Sequence, residues 1–348
     1  MVTVSIDKPH RLDPAAMGQV LQIGCGMMFS AALQTATRLG VPDRLSNGPM
    51  PVKDLATATG TNEDALYRVL RALVPLGIFA EVSPRTFANT PPTEWLRSDV
   101  PGSVRDTVLW MSSPFHFNVW KEMPYSVRTG KPAAEHIYGK PVFECFDMLP
   151  EVAADFNAAM TCISAQLVPA VLEAYDFSGV HTLMDVAGGH GFVICEILRR
   201  YPEMKGLIFD IPPVIEGAKC RVCDLRLDHR CEAVAGDFFT EIPSGADAYY
   251  LQHIIHDWED EKAIVILQNV HRALRGVKDG KLIVTDCVLP ENSDMHFGKL
   301  IDLEMMLMPG GRERTEKEVR ALFAKGGFEI TKIVPTKAAD SVTEARPV

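Results

Sequence analysis

His256 closes the run Gln252-His253-Ile254-Ile255-His256-Asp257-Trp258, directly after a short apolar stretch that reads as a strand. A histidine at a strand end titrates near neutral pH, so it can take a proton from a hydroxyl in a crevice there, or serve as a structural histidine bonded to backbone. Two acids stand at the next suitable positions. Asp286 ends the following β-rich run, and Glu313 lies in the turn Gly310-Gly311-Arg312-Glu313-Arg314. Either carboxylate could bond an imidazole nitrogen, fix its tautomer and favour its protonated form; each could equally pair with Arg312 or Arg314.

A second set of acids stands upstream. Asp185 opens Asp185-Val186-Ala187-Gly188-Gly189-His190-Gly191, where glycines let the backbone turn tightly and approach a ligand. Asp210 follows 19 residues past Gly191, where a carboxylate can accept both hydroxyl protons of a ribose. Asp237, in Gly236-Asp237-Phe238-Phe239, repeats the pattern with an aromatic face beside it. A strand-end acid can instead cap the next helix. Taken together, the three favour an adenosine ligand. A pyrophosphate would sit uneasily among acids, whereas a sulfonium with an ammonium group would be attracted to Asp185.

These positions require particular elements. Strands are expected at Thr182 to Val186, Gly206 to Phe209, Cys231 to Ala235, Ala248 to His253, Lys281 to Thr285 and Phe328 to Val334. Helices alternate with them: after Gly191, near Val214, from Glu259 to Leu274 and from Glu316 to Lys325. The pattern predicts an α/β fold, a Rossmann-like doubly wound parallel sheet whose ligands collect outside the strand ends. Before it, Met17 to Leu39 reads as one or two buried helices. Val52 to Ala58 reads as a short helix stopped by Gly60, and Thr61 as the N-cap of a helix from Glu63 to Leu76. A hairpin over Ile78 to Ala88 completes a winged-helix pattern. The expected domains are residues 1–110 and 111–348, with a helical pocket segment over 111–175. Trp110, Phe115, Phe117, Trp120, Phe143 and Phe146 there are candidates for pocket walls or plain core.

Composition narrows the partners. The 348 residues carry 35 basic and 45 acidic side chains, a formal net charge of −10, and residues 1–100 hold equal numbers of each sign. Phosphate binding by the winged helix is therefore disfavoured, as is an anionic membrane surface. The start, with Asp7, Lys8, His10, Arg11 and Asp13, is unlike a signal peptide, and eight scattered cysteines fit reduced thiols, so the expected location is the cytoplasm. Cys220, Cys223, His229 and Cys231 contain a Cys-x-x-Cys but lack the spacing of a second ligand pair, so no metal is expected.

The ordered motifs Met184-Asp185-Val186-Ala187-Gly188-Gly189-His190-Gly191, Phe209-Asp210-Ile211-Pro212, Gly236-Asp237-Phe238-Phe239, His256-Asp257-Trp258 and Gly310-Gly311-Arg312-Glu313-Arg314-Thr315 resemble the caffeate and acetylserotonin type of O-methyltransferases, over nearly the whole chain. The resemblance implies a class I methyltransferase domain holding S-adenosylmethionine, an N-terminal winged-helix dimerisation domain, a homodimer and a small-molecule acceptor. Residue by residue, it implies cofactor positions at Asp185, Gly188, Asp210, Asp237, Phe238 and Gln252, with Met160 and Ser164 near the donor sulfur and carboxylate. It implies His256 as general base, flanked by Asp286 and Glu313. Three departures stand out: Ala187 where the family often has glycine, Gln252 for lysine and Asp286 for glutamate. The methyl of Ala187 requires an ordinary φ, and Asp286 requires a closer strand to reach His256. N-methylation, and non-methylating hydroxylation or decarboxylation on the same fold, are the alternative activities.

Overall fold

A computed structural model describes residues 14–348. The charged stretch before Pro14, on which the expectation of no signal peptide rested, lies outside the described residues. The chain forms two compact units, Met1–Ser113 and Pro114–Val348.

The first unit contains α1 (Pro14–Gly24), α2 (Gly26–Arg38), α3 (Val41–Arg44), β1 (Met50–Pro51), α4 (Val52–Thr59), α5 (Glu63–Leu73), β2 (Phe79–Ser83), β3 (Thr86–Asn89), α6 (Pro91–Glu94) and α7 (Arg105–Met111). The three strands pair in the order β1-β3-β2, the wing of a winged helix. Gly60 ends α4 at φ +65°, and Asn62, not Thr61, caps α5 by accepting from the Ala65 amide at 3.0 Å. The expected Thr61 cap fails because its hydroxyl is engaged with Thr59 Oγ1 at 2.9 Å. Leu66, Leu70 and Leu73, at helical spacing on α5, bury against Leu55, Phe79 and Phe87.

The expectation that residues 17–39 are buried is corrected for the single chain. On α1 and the start of α2, Met17, Val20, Leu21, Ile23, Met27 and Met28 are 58–75% exposed. Such a continuous apolar face marks an interaction surface. No single helix among the described residues is long and apolar enough to cross a membrane.

The second unit opens with helices α8 (Pro114–Trp120), α9 (Met123–Thr129), α10 (Ala133–Tyr138), α11 (Val142–Met148) and the long α12 (Pro150–Ala174). There follow β4 (Thr182–Val186), α13 (Phe192–Arg200), β5 (Lys205–Asp210), α14 (Pro212–Asp224), β6 (Cys231–Ala235), β7 (Ala248–Gln252), α15 (Asp260–Ala273), β8 (Lys281–Leu289), α16 (Gly298–Leu307), β9 (Arg314–Thr315), α17 (Glu316–Lys325), β10 (Phe328–Pro335) and β11 (Asp340–Pro347). The sheet runs β10-β11-β8-β7-β4-β5-β6, with β9 pairing β8.

The sheet is mixed, which corrects the all-parallel expectation. Strand β11 inserts antiparallel between β8 and β10. Side chains alternate along the central strands: Leu183 and Tyr250 join the layer formed with α12, α13 and α14, while Met184, Tyr249 and Leu251 join α15 and α17 on the other face. The order reverses at β4, which pairs with β5 on one side and β7 on the other. A crevice outside the carboxyl end of β4 is the place where this topology collects ligands.

Candidate active site

Past β4 the backbone must turn sharply to enter α13. Ala187, Gly189 and Gly191 all take left-handed φ, at +57°, +56° and +74°. Ala187 thus departs from the ordinary φ required of it, because its amide is drawn to the Phe209 carbonyl at 2.7 Å as the chain leaves the sheet. An alanine there costs roughly 1–2 kcal/mol, against about 0.5–1 kcal/mol of extra unfolded-state freedom for glycine. Ala187→Gly should therefore raise the denaturant midpoint by the equivalent of about 0.5–1 kcal/mol. A lowered midpoint would contradict the left-handed turn.

This turn surrounds an acid. Asp185 is 2% exposed, and its Oδ2 has no hydrogen-bond partner. A Cβ on Gly188 would fall 2.8 Å from that carboxylate, so only glycine leaves its approach open. Burial, with Asp210 nearby, pushes Asp185 up to about 8. An orphaned buried carboxyl of this kind fits a cationic ligand, whose charge would offset the desolvation. Asp210 accepts from the amides of Gly189 at 2.8 Å and Ile211 at 2.7 Å, and burial raises it too.

Asp237 closes its own turn, accepting from the Phe239 amide at 2.8 Å and from Thr240 Oγ1 at 3.1 Å. No helix lies between β6 and β7, so Asp237 caps a turn and not the next helix; a carboxylate retains acceptor capacity beyond those two bonds. Phe238 meets Trp258 edge-on at 6.1 Å. From α11, Phe143 reaches Trp258 at 5.8 Å and Phe156 at 6.3 Å, and Phe146 packs on Phe156 at 4.8 Å. The aromatics of α11 and α12 therefore run to the residue two places beyond His256. Gln252 Nε2 donates to Ser164 Oγ at 3.1 Å, while Gln252 Oε1 accepts from the Tyr250 hydroxyl at 2.9 Å, which ties α12 to the end of β7. Met160 lies one helical turn before Ser164 on the same face.

His256 sits in the 3-10 turn Ile255–Asp257 after β7 and is 7% exposed. Its Nδ1 lies 2.7 Å from Glu313 Oε1. Nε2 makes no hydrogen bond, with Asp257 Oδ1 3.6 Å away. Of the two expected flanking acids, Glu313 makes the bond and Asp286 does not. Asp286 keeps an unpartnered Oδ1, and Glu313 an unpartnered Oε2. Burial pushes Glu313 up to about 8, Asp257 to about 7 and Asp286 to about 6. The form able to accept a proton is the one in which the His256–Glu313 pair holds a single proton, on Nδ1, leaving the Nε2 lone pair free.

The Glu313 turn is clamped onto the His256 turn. Arg312 donates its amide to the His256 carbonyl at 2.8 Å, and a Cβ on Gly311 would lie 2.0 Å from that carbonyl oxygen. Asp302 on α16 accepts from the Glu313 amide at 2.9 Å. Arg314, weighed above as a partner for the acids, instead donates to Asp260 at 3.0 Å and to the Trp258 carbonyl at 2.8 Å. Sequence reasoning assigned no role to His253, Asp257, Asp302 or Asp340. His253 and Asp257 were visible in the quoted motif; nothing local singles out the other two. On α14, Cys220 and Cys223 are exposed while Cys231 is buried, and among the described residues no group of three metal-ligating side chains forms.

The O-methyltransferase domain model matches residues 120–329, and the O-methyltransferase dimerisation domain model matches residues 21–99. The chain belongs to the O-methyltransferase family. It is 37% identical to a phenazine O-methyltransferase of Lysobacter antibioticus, over 94% of this chain and 96% of that one. It is 30% identical to an 8-amino-8-demethylriboflavin N,N-dimethyltransferase of Streptomyces davaonensis, over 95% of each chain. Human N-acetylserotonin methyltransferase, solved with S-adenosylmethionine, is 25% identical and superposes with a TM-score of 0.88, covering 98% of this chain and 99% of that one. The fold is that of a class I methyltransferase with an N-terminal helical dimerisation domain.

Proposed function

We propose that this O-methyltransferase methylates a hydroxyl of a flat, apolar aromatic acceptor, with His256 as general base. The methyl donor is S-adenosylmethionine, which when bound supplies an electrophilic methyl group on a sulfonium. The buried Asp185 carboxyl and the open backbone at Gly188 fit the donor's positive charge. Asp210 offers acceptor oxygens to ribose hydroxyls, while Asp237 and Phe238 offer an acceptor and an aromatic edge to an adenine. Met160, Ser164 and Gln252 border the side where the reacting end would lie.

The observation that carries the reading is the His256–Glu313 bond at 2.7 Å with Nε2 unbonded. As the acceptor oxygen attacks, its proton passes to Nε2, and the Glu313 carboxylate stabilises the imidazolium. Asp286, without a bond to His256, adds negative charge near the ring as the proton arrives. The names of the relatives above point to phenazine, riboflavin and N-acetylserotonin skeletons, all planar ring systems, which suits an acceptor laid against the aromatic cluster of Phe143, Phe146 and Phe156 beside Trp258.

We further propose that the domains divide at 110/111, with 111–175 as the acceptor-pocket segment. A homodimer covers the apolar face of α1 and α2, consistent with the dimerisation-domain match. The eight free cysteines fit a cytoplasmic setting. N-methylation is the second reading, favoured by the N,N-dimethyltransferase relative, since an amine acceptor also loses a proton. Incubation with methyl-labelled donor and paired hydroxy and amino forms of planar heteroaromatics decides between them. Label is expected on the hydroxy compounds; label confined to the amines would replace the first reading by the second, and no label on either would remove both.

A further inference from the structure

A second imidazole–carboxylate couple lies against the first. His253 is the residue where the chain leaves β7, and it takes a left-handed φ of +56°. Its amide donates to the Thr285 carbonyl at 3.0 Å, and its Nε2 lies 2.8 Å from Asp340 Oδ1 at the start of β11. The two rings stack, with centroids 5.2 Å apart and planes 16° from parallel. A left-handed conformation in a residue other than glycine is held only where its surroundings impose it. Here it aims the ring of His253 at the face of His256.

The charges explain what such an arrangement does. His256 is faced by Glu313 and Asp257, by Asp286 from β8 and, beyond His253, by Asp340 from β11, with Asp302 behind Glu313. Carboxylates on every side favour the imidazolium, and a base already protonated cannot accept the acceptor's proton. Two arginines share this neighbourhood, but Arg312 belongs to the 310–313 turn and Arg314 is turned to Asp260 and to the Ile255 and Trp258 carbonyls; His253 is the cation stacked on the His256 ring. It is faced by Asp340, Asp286 and Glu313 as well as by the His256 ring. We propose that the Asp340–His253 pair is a positioning device that holds a positive charge against the face of His256 and so keeps that ring deprotonated and ready at neutral pH.

Desolvation pulls His253 down, but the bond to Asp340 and the surrounding acids outweigh it and lift His253 to about 9. The same bond lowers Asp340 against the burial that would raise it. Both directions agree with an ion pair, in which the cation lies next to His256 and the anion one residue further out.

The inference rests on the proposed role of His256, so its test is read first without catalysis. In the full-length unmodified chain, proton NMR of the imidazoles should show His253 still protonated above about pH 7, beyond the ordinary histidine value. His253→Gln retains a donor to Asp340 but loses the charge. It should raise the titration midpoint of His256 by about one pH unit or more, and move the acidic limb of kcat/KM upward by the same amount. His253→Arg, which keeps the charge, should restore both. If His253 loses its proton below about pH 7 in the unmodified chain, if the Gln variant titrates like the wild type, or if the Arg variant restores neither the midpoint nor the limb, the pair is only a hydrogen-bonded strut and the proposal falls. A shifted His256 midpoint with no change in kcat/KM would instead remove His256 as the base.

Discussion

Replacing His256 with alanine is expected to lower turnover by roughly 10²- to 10⁴-fold, the usual contribution of a general base. Donor affinity should hardly change. Nε2 is the atom that accepts the proton and no hydrogen bond competes for it, whereas the residues assigned to the donor lie at the ends of β4, β5 and β6, on α12 and, in Gln252, on the last residue of β7 before the His256 turn. Calorimetry with S-adenosylmethionine and single-turnover transfer of labelled methyl separate the two effects. The pH dependence carries a definite sign. Burial raises Asp286 to about 6, Asp257 to about 7 and Glu313 to about 8, so the site takes up protons as pH falls through the neutral range. The single-proton form of the His256–Glu313 pair is then depleted, and kcat/KM should rise with pH across that window and level off above it. That limb should vanish in the alanine variant. Wild-type turnover in the variant would sink the base assignment whatever the pH profile.

The second large effect is expected from Gly311→Ala, a substitution that adds one carbon and removes nothing. Its Cβ would lie 2.0 Å from the His256 carbonyl oxygen, 2.4 Å from the Asp257 carbonyl carbon and 2.7 Å from the Asp257 oxygen. All three are backbone atoms and cannot rotate aside, so the turns must separate. Separation breaks the Arg312 amide bond to His256 and carries Glu313 away from Nδ1. Overpacking of this kind costs about 1–3 kcal/mol, and displacement of a catalytic group by about 1 Å can cost on the order of 10²-fold in rate. A fall in both denaturant midpoint and kcat, with donor binding retained, is the expected pattern. If stability and turnover both matched the wild type, the close apposition of the two turns would be wrong.

How much of this was legible depended on whether the signal was local. Strands β4 and β6 and helix α17 match their sequence readings to the residue, because apolar runs and helical spacing are written in adjacent positions. The acids at the ends of β4, β5 and β6 are legible for the same reason: a carboxylate that closes a short apolar run is a local pattern. Strand β11 was not found. Asp340, Thr343, Glu344 and Arg346 make it look like a polar tail, and only pairing on both edges buries Val342 and Ala345. Its loss from the reading hid Asp340, and with it the meaning of His253.

Helix α16 was missed as well. Its Glu304 is buried because His116 Nε2 and Trp120 Nε1 reach it at 2.9 and 2.6 Å from α8, residues more than 180 positions earlier. Sequence also could not choose between Asp286 and Glu313. That choice depends on how far the 310–315 turn folds back, which is a tertiary matter. The apolar spacing of α1 and α2 reads as buried helices, but periodicity does not say whose surface will cover them, and in the single chain much of that face is exposed.

Strand β11 is made after β8 and β10, yet it separates them in the finished sheet. While the chain is still leaving the ribosome, the edge of β8 that β11 will pair, Leu282 to Cys287, is therefore open, and an open edge of this kind invites pairing with other nascent chains. A product stalled before residue 340 would display that edge and would also lack the counter-charge for His253. Premature termination should thus yield aggregates cleared by proteolysis, with no partly active fragment to compete for the donor.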